Sequence, residues 1–223
     1  RLTDVTGVQT CALPIFIYGV DPEKERQVTE IYKKIVPGGG RYPDKQSPAD
    51  ILISDKTAGL LKLKQYIITD GVIAKLKEER IRADILAKLE KHKDKRFRSP
   101  GDFREMLKQE FNKRELDKAG RLITEYALDY RLRNKIQVTF SDLRGTPVQG
   151  IFRVCGIYKT TNTGFDQTAV FVNAGELAKL YGGGEILNHE ISILLKNIDD
   201  AGVVRDKLSR IAEIGRASCR ERV

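Results

Sequence analysis

The chain has no tryptophan, one methionine, two histidines and three cysteines in 223 residues, and each scarcity removes a class of chemistry. The only methionine is Met106, so residue 1 is not an initiator and an internal fragment is expected. His92 and His189 lie far apart, with no second His or Cys at ligand spacing, which predicts no metal site. No apolar run approaches the ~18 residues that cross a bilayer, so a soluble piece is expected. The two glycine runs, Gly38–Gly40 and Gly182–Gly184, lack the following Lys-Ser or Lys-Thr of a phosphate-cradling loop. Each follows a predicted helix, and glycine's role at helix C-termini explains both. The carboxylates sit beside Lys or Arg in sequence, as solvated ion pairs do, and Cys155 inside Val154–Ile157 reads as a buried, inert thiol. No catalytic residues, no cofactor and no enzyme are expected; an active site would have to be assembled in three dimensions.

The two ends read differently from the rest. Ala12-Leu13-Pro14-Ile15 can be written GCT CTT CCG ATC, and its reverse complement, GATCGGAAGAGC, reads through Ile214-Gly215-Arg216-Ala217 after one shared base. VTGVQTCALPI and IGRASCRERV resemble translated sequencing-library adapters. Residues 1–15 and 214–223 are therefore set aside from fold reasoning and are expected to pack poorly. Setting them aside removes Cys11 and Cys219, so Cys155 has no intrachain disulfide partner. It also removes three arginines and one glutamate at the tail, which lowers the net charge from +9 to +7.

That charge is uneven. From Lys62 to Lys135 there are 21 Lys/Arg against 13 Asp/Glu, and the remainder is close to neutral. Periodicity shifts in the same place. Before it, Phe16–Val20 reads as a strand ended by Asp21-Pro22, and Val28, Ile31, Tyr32 and Ile35 fall at helical spacing from Glu25 until Pro37. Ile51–Ile53 reads as a brief buried strand, with Ser54-Asp55 capping a helix through Leu60, Leu61 and Leu63. Within residues 65–130 the signals are helical. Ile81, Ile85 and Leu89 recur every four residues, Ser99-Pro100 starts a helix with the stripe Phe103, Met106 and Leu107, and a third helix carries Leu116, Ala119, Ile123, Tyr126 and Tyr130. These stripes are expected to meet one another, with few residues reaching the sheet. A basic helical segment can bind nucleic acid, but the acidic residues interleaved through it favour a solvated face.

After Lys135, alternation at Ile136, Val138 and Phe140, a turn at Leu143–Thr146 and a return over Ile151–Ile157 predict a β-hairpin. A polar loop Lys159–Asp166, a strand Thr168–Val172, a helix Ala174–Tyr181, a strand His189–Leu195 and a helix from Asp199 to Ala212 follow. The expected fold is α+β: a mixed sheet built from β-α-β-type halves and a hairpin, formed by residues 16–64 and 131–213, with residues 65–130 as an inserted helical module.

The stretch KIQVTFSDLRGTPVQGIFRVCGIYKTTNTGFDQTAVFVNAGELAKL, Lys135 to Leu180, resembles the extracytoplasmic domain of lipoprotein-releasing and MacB-like ABC-transporter permeases, which carry an FtsX-like membrane region. GVDPEKERQV at Gly19–Val28 and ILISDKTAGLLKLK at Ile51–Lys64 are similar to the same family. The resemblance implies a domain that does no chemistry. It implies a membrane-embedded full-length protein in a bacterial inner membrane, with this part facing the periplasm and truncated at its N-terminal side. It implies an ABC ATPase subunit, a second permease subunit and a periplasmic carrier or adaptor as partners, with lipoprotein, peptide or drug as cargo and no nucleic acid. Two departures stand out: residues 65–130 interrupt the family pattern, and the hairpin turn Leu143–Pro147 is shorter than the one by which some members recruit a carrier.

Overall fold

The computed structural model describes residues 8–9, 15–141, 145–181, 192–208 and 210, and the fold is α+β. The strands are β1 (Val8–Gln9), β2 (Phe16–Val20), β3 (Ile35–Gly40), β4 (Asp50–Ser54), β5 (Lys64–Ile67), β6 (Arg96–Phe97), β7 (Leu128–Tyr130), β8 (Lys135–Ser141), β9 (Pro147–Tyr158) and β10 (Ala169–Asn173). The α-helices are α1 (Pro22–Val28), α2 (Asp55–Leu60), α3 (Asp70–Glu78), α4 (Ala83–Glu90), α5 (Pro100–Glu110), α6 (Lys113–Glu115), α7 (Arg121–Ala127), α8 (Thr163–Thr168), α9 (Ala174–Leu180) and α10 (Ala201–Leu208).

Seven strands form the main sheet, in the order β1-β8-β9-β4-β10-β2, with β3 on the far half of β9. The hairpin is antiparallel as expected: Ile136 faces Phe152 and Phe140 faces Val148. β4 lies parallel to β9 and antiparallel to β10, and β10 lies parallel to β2. β4 is buried along its whole length and β10 over Ala169–Val172, which is why Ile51–Ile53 and Ala169–Val172 read as continuous apolar runs without alternation. Val8–Gln9 pairs in parallel with the start of β8, and Ile15 packs against the core; the rest of residues 1–15, and residues 214–223, lie outside the described residues.

Two cores cover the sheet. On one face Ile51, Ile53, Phe152, Val154, Val170 and Val172 pack under α2 and α9. On the other, Leu52, Tyr158 and Phe171 pack with Tyr42 and Phe165. A bulge in β9 decides which residue goes where. Ile51 pairs with Val154 but Leu52 pairs with Gly156, so Cys155 is the extra residue and the inside-outside parity flips after it. The flip puts Val154 and Ile157 in the same core. It also brings the chain of Arg41 hard against Gly156, where a Cβ would stand 2.1 Å from the Arg41 carbonyl.

Residues 65–130 build a separate core. Ile85, Leu89, Phe103, Leu107 and Ile123 are buried in one cluster, with Ile81 and Leu122 against it, and Tyr66 stacks on Phe103 at 4.7 Å. Ser99 caps α5 by accepting from the Asp102 N–H at 3.0 Å, and Asn112 and Glu115 form a reciprocal capping box.

Several expected elements are corrected. The helix read through Val28, Ile31, Tyr32 and Ile35 ends at Val28. A 3-10 turn follows at Ile31–Lys34, and Ile35–Gly40 is a strand paired with β9. Pro37 and the glycines had read as a helix stop; instead Gly40 takes φ +85° where a Cβ would meet the Cys155 carbonyl at 2.3 Å, so glycine serves close strand approach. Ile81 lies between α3 and α4, and Tyr130 lies on β7 instead of a helix. The helical segment also contains a three-stranded sheet, β6-β5-β7, whose short strands escaped the period count. The polar loop after Lys159 contains α8, capped by Asn162. Of the strand expected at His189–Leu195, Ser192–Leu195 carry no regular structure and the rest lies outside the described residues, as do Gly182–Gly184. The last helix spans Ala201–Leu208 after a 3-10 turn at Ile198–Asp200.

Candidate functional site

The two cores meet at a neck. β5 leaves the sheet region and β7 returns to it as antiparallel neighbours, with Lys64 opposite Tyr130, Gln65 opposite Asp129 and Tyr66 opposite Leu128. Leu128 is the one side chain packed against both clusters among the described residues. The helical segment is therefore joined to the sheet through a passage two strands wide.

A polar clasp closes that passage. Asp55, in the first turn of α2, receives Lys64 Nζ at 2.7 Å and the Tyr130 hydroxyl at 2.7 Å, both on Oδ1. Burial alone would raise the Asp55 carboxyl, but Lys64 and Tyr130 outweigh it and hold the group below the ordinary aspartate range. Burial, and then the Asp55 carboxylate, push the Tyr130 phenol well up. Beside the clasp, Gln65 Nε2 donates to Asp129 at 2.7 Å, the Arg131 guanidinium donates to the Lys62 carbonyl at 2.6 Å, and the Arg131 N–H donates to the Leu63 carbonyl at 2.9 Å. Asp55 has both a cation and a hydroxyl donor, so its chemistry is positional: it ties one strand of each direction to the sheet.

The residues weighed as candidates scatter. His92 Nε2 contacts Glu110 Oε1 at 3.0 Å on the helical segment, and His189 lies outside the described residues. Cys155 is buried and donates to the Ile51 carbonyl at 3.4 Å, and burial pushes its thiol up to about 12, which favours the neutral thiol at neutral pH. Among the described residues no cluster of three or more His, Cys, Asp or Glu could hold a metal. The sequence showed Ser54 as a helix cap, which it is, accepting from the Thr57 N–H at 3.0 Å. It did not show the neighbouring Asp55 as the centre of the clasp, because one partner, Tyr130, is 75 residues away.

No family model and no curated protein matches the chain. Among the described residues no helix is long and apolar enough to cross a membrane.

Proposed function

We propose that the chain is part of the extracytoplasmic domain of an ABC-transporter permease, of the lipoprotein-releasing or MacB-like kind, in a bacterial inner membrane. It couples ATP hydrolysis by a separate subunit to movement of lipoprotein, peptide or drug outside the membrane. One observation supports this reading above others: the three separated stretches that resemble the family meet on neighbouring strands, with Ile51–Lys64 and Lys135–Leu180 carrying most of three of them and Gly19–Val28 the last two residues of β2. Phe16–Val20, Asp50–Ser54, Pro147–Tyr158 and Ala169–Asn173 lie side by side, while residues 65–130 leave and re-enter between them through the neck. A second permease subunit and the ATPase are the partners on this reading. ATP-driven closure of membrane helices then favours one arrangement of paired extracytoplasmic domains, a population shift that requires rigid bodies and no catalytic group.

The rival reading, a basic helical nucleic-acid module, has less support because acidic residues are interleaved through that segment and pair with some of its cations. Lys88 pairs with Glu115 at 3.0 Å, Lys93 with Asp70 at 2.7 Å, and Arg82 with Asp84. Recovery of the full open reading frame is the test. Hydrophobic spans of roughly 18 residues or more on both sides of the domain are expected. A complete frame with no such span overturns the reading.

A further inference from the structure

At one end of the sheet, the face that carries Tyr158 and Phe171 gathers charged side chains. There the strand pairing sets Lys135 directly opposite Arg153, and sets Asp50 against Arg153 from the other side. Like charges placed opposite one another across strands are destabilising, and both side chains are exposed with no ion pair or hydrogen bond among the described residues. Asp50 attracts Arg153 across the strands without forming an ion pair with it, and its carboxylate is shared with Arg41. The Arg41 guanidinium pairs with Asp44, and with the buried Asp50 at 2.5 Å. Arg41 also donates to Ser47 Oγ at 3.1 Å, which leaves the Ser47 hydroxyl proton free to point elsewhere. These groups are not scattered. Ser47, Pro48, Ala49, Asp50, Lys135, Ile151, Phe152 and Arg153 line one cleft of about 240 Å³. The wall is fixed by backbone bonds, Asp50 N–H to the Ser47 carbonyl at 3.0 Å and Arg153 N–H to the Ala49 carbonyl at 2.8 Å. On β9, Ile151 shares the face of Arg153 and is 56% exposed, an apolar surface next to the cation pair.

We propose that this cleft binds a compact oxyanion, phosphate or carboxylate, between Lys135 and Arg153. Ser47 donates a further hydrogen bond, and Ile151 receives an apolar group attached to the anion. An anion there converts the like-charge pair from a cost into two charge-assisted hydrogen bonds, on a rigid β-hairpin that needs no rearrangement. The proposal stands apart from the transport reading, because it uses only the sheet and the Arg41–Asp50 segment.

The test is a ¹H–¹⁵N titration of the full chain with sodium phosphate and, separately, with sodium acetate, at ionic strength held constant with chloride. Saturable shifts at the amides of residues 47, 49, 50, 135 and 151–153 are expected with at least one anion. The double variant Lys135→Gln/Arg153→Gln should weaken that binding by about tenfold or more while leaving the rest of the spectrum in place. Saturation by phosphate alone identifies a phosphate-type ligand; saturation by both identifies carboxylate as sufficient. Absence of saturation with either anion, or unchanged binding in the double variant, overturns the proposal. A second reading separates the premise from the ligand: without added anion, Lys135→Gln should raise the thermal midpoint. A lowered midpoint shows the pair already satisfied and overturns it too.

Discussion

The sheet and the helical segment are stabilised in contrasting ways. Residues 65–130 are held by contacts within the segment itself: caps at Thr69, Ser99 and Asn112, stripes such as Phe103, Met106 and Leu107 that turn onto a common core, and the β5–β7 pairing that closes it. The sheet depends on partners far apart in the chain, with β2 completed by β10 and β4 by β9, and on backbone approaches that only glycine permits. The lesson is that the insertion closes its core within one continuous stretch, whereas the sheet core is completed by strands from both sides of that stretch. The clasp at Asp55 is where one kind of stability is tied to the other.

The largest effect should come from breaking each core in turn. Phe152 and Phe103 are fully buried in the two separate clusters, and replacing either by alanine should cost about 3–5 kcal/mol through lost burial and a residual cavity. Denaturant unfolding followed by amide hydrogen exchange separates the outcomes. Phe103→Ala should lower protection across α3–α7 while β4, β9 and β10 keep theirs, and Phe152→Ala should do the reverse. Uniform loss of protection in both variants would merge the two regions into one cooperative unit.

A smaller effect is expected at the clasp, and it has a definite pH sign. The folded Asp55 carboxyl lies below its ordinary range, so its stabilising contribution is complete above the unfolded value near 4. It is lost as pH falls through the lowered folded value. Asp55→Asn should therefore cost about 1–3 kcal/mol at neutral pH, and should flatten the acid limb of the wild-type stability curve below about pH 4. Parallel acid limbs for the two proteins would show that Asp55 carries no linked stability.

The smallest effect on the sheet should follow from removing the helices altogether. Lys64 and Tyr130 are paired neighbours, so replacing residues 65–129 by Asn-Gly closes the neck with a two-residue hairpin turn and keeps the Asp55–Lys64–Tyr130 clasp. The shortened chain should unfold in one cooperative transition, within about 1 kcal/mol of the sheet's stability in the full chain. Loss of cooperative unfolding would make the helices part of the sheet's own core.

Alternation over Ile136–Phe140, the cap at Ser54, the Ser99-Pro100 helix start and the apolar stripes of α4 and α5 were all readable from residues alone. Each is a local preference that acts within a few positions. β3 was not readable, because Pro37 and three glycines carry the composition of a helix stop and only the facing strand β9 makes them a strand. The parity flip at Cys155, the clasp at Asp55 and the cleft between Lys135 and Arg153 were invisible for a related reason. Each depends on which backbone lies opposite, and that is chosen by the pairing of strands up to a hundred residues apart. The sequence by itself determined the α+β class, the hairpin and the helical character of residues 65–130, since periodicity reports which face of an element is apolar. Only the tertiary structure decided the strand order, the neck and the charged cleft, since register across distant strands is settled by the burial of both faces at once.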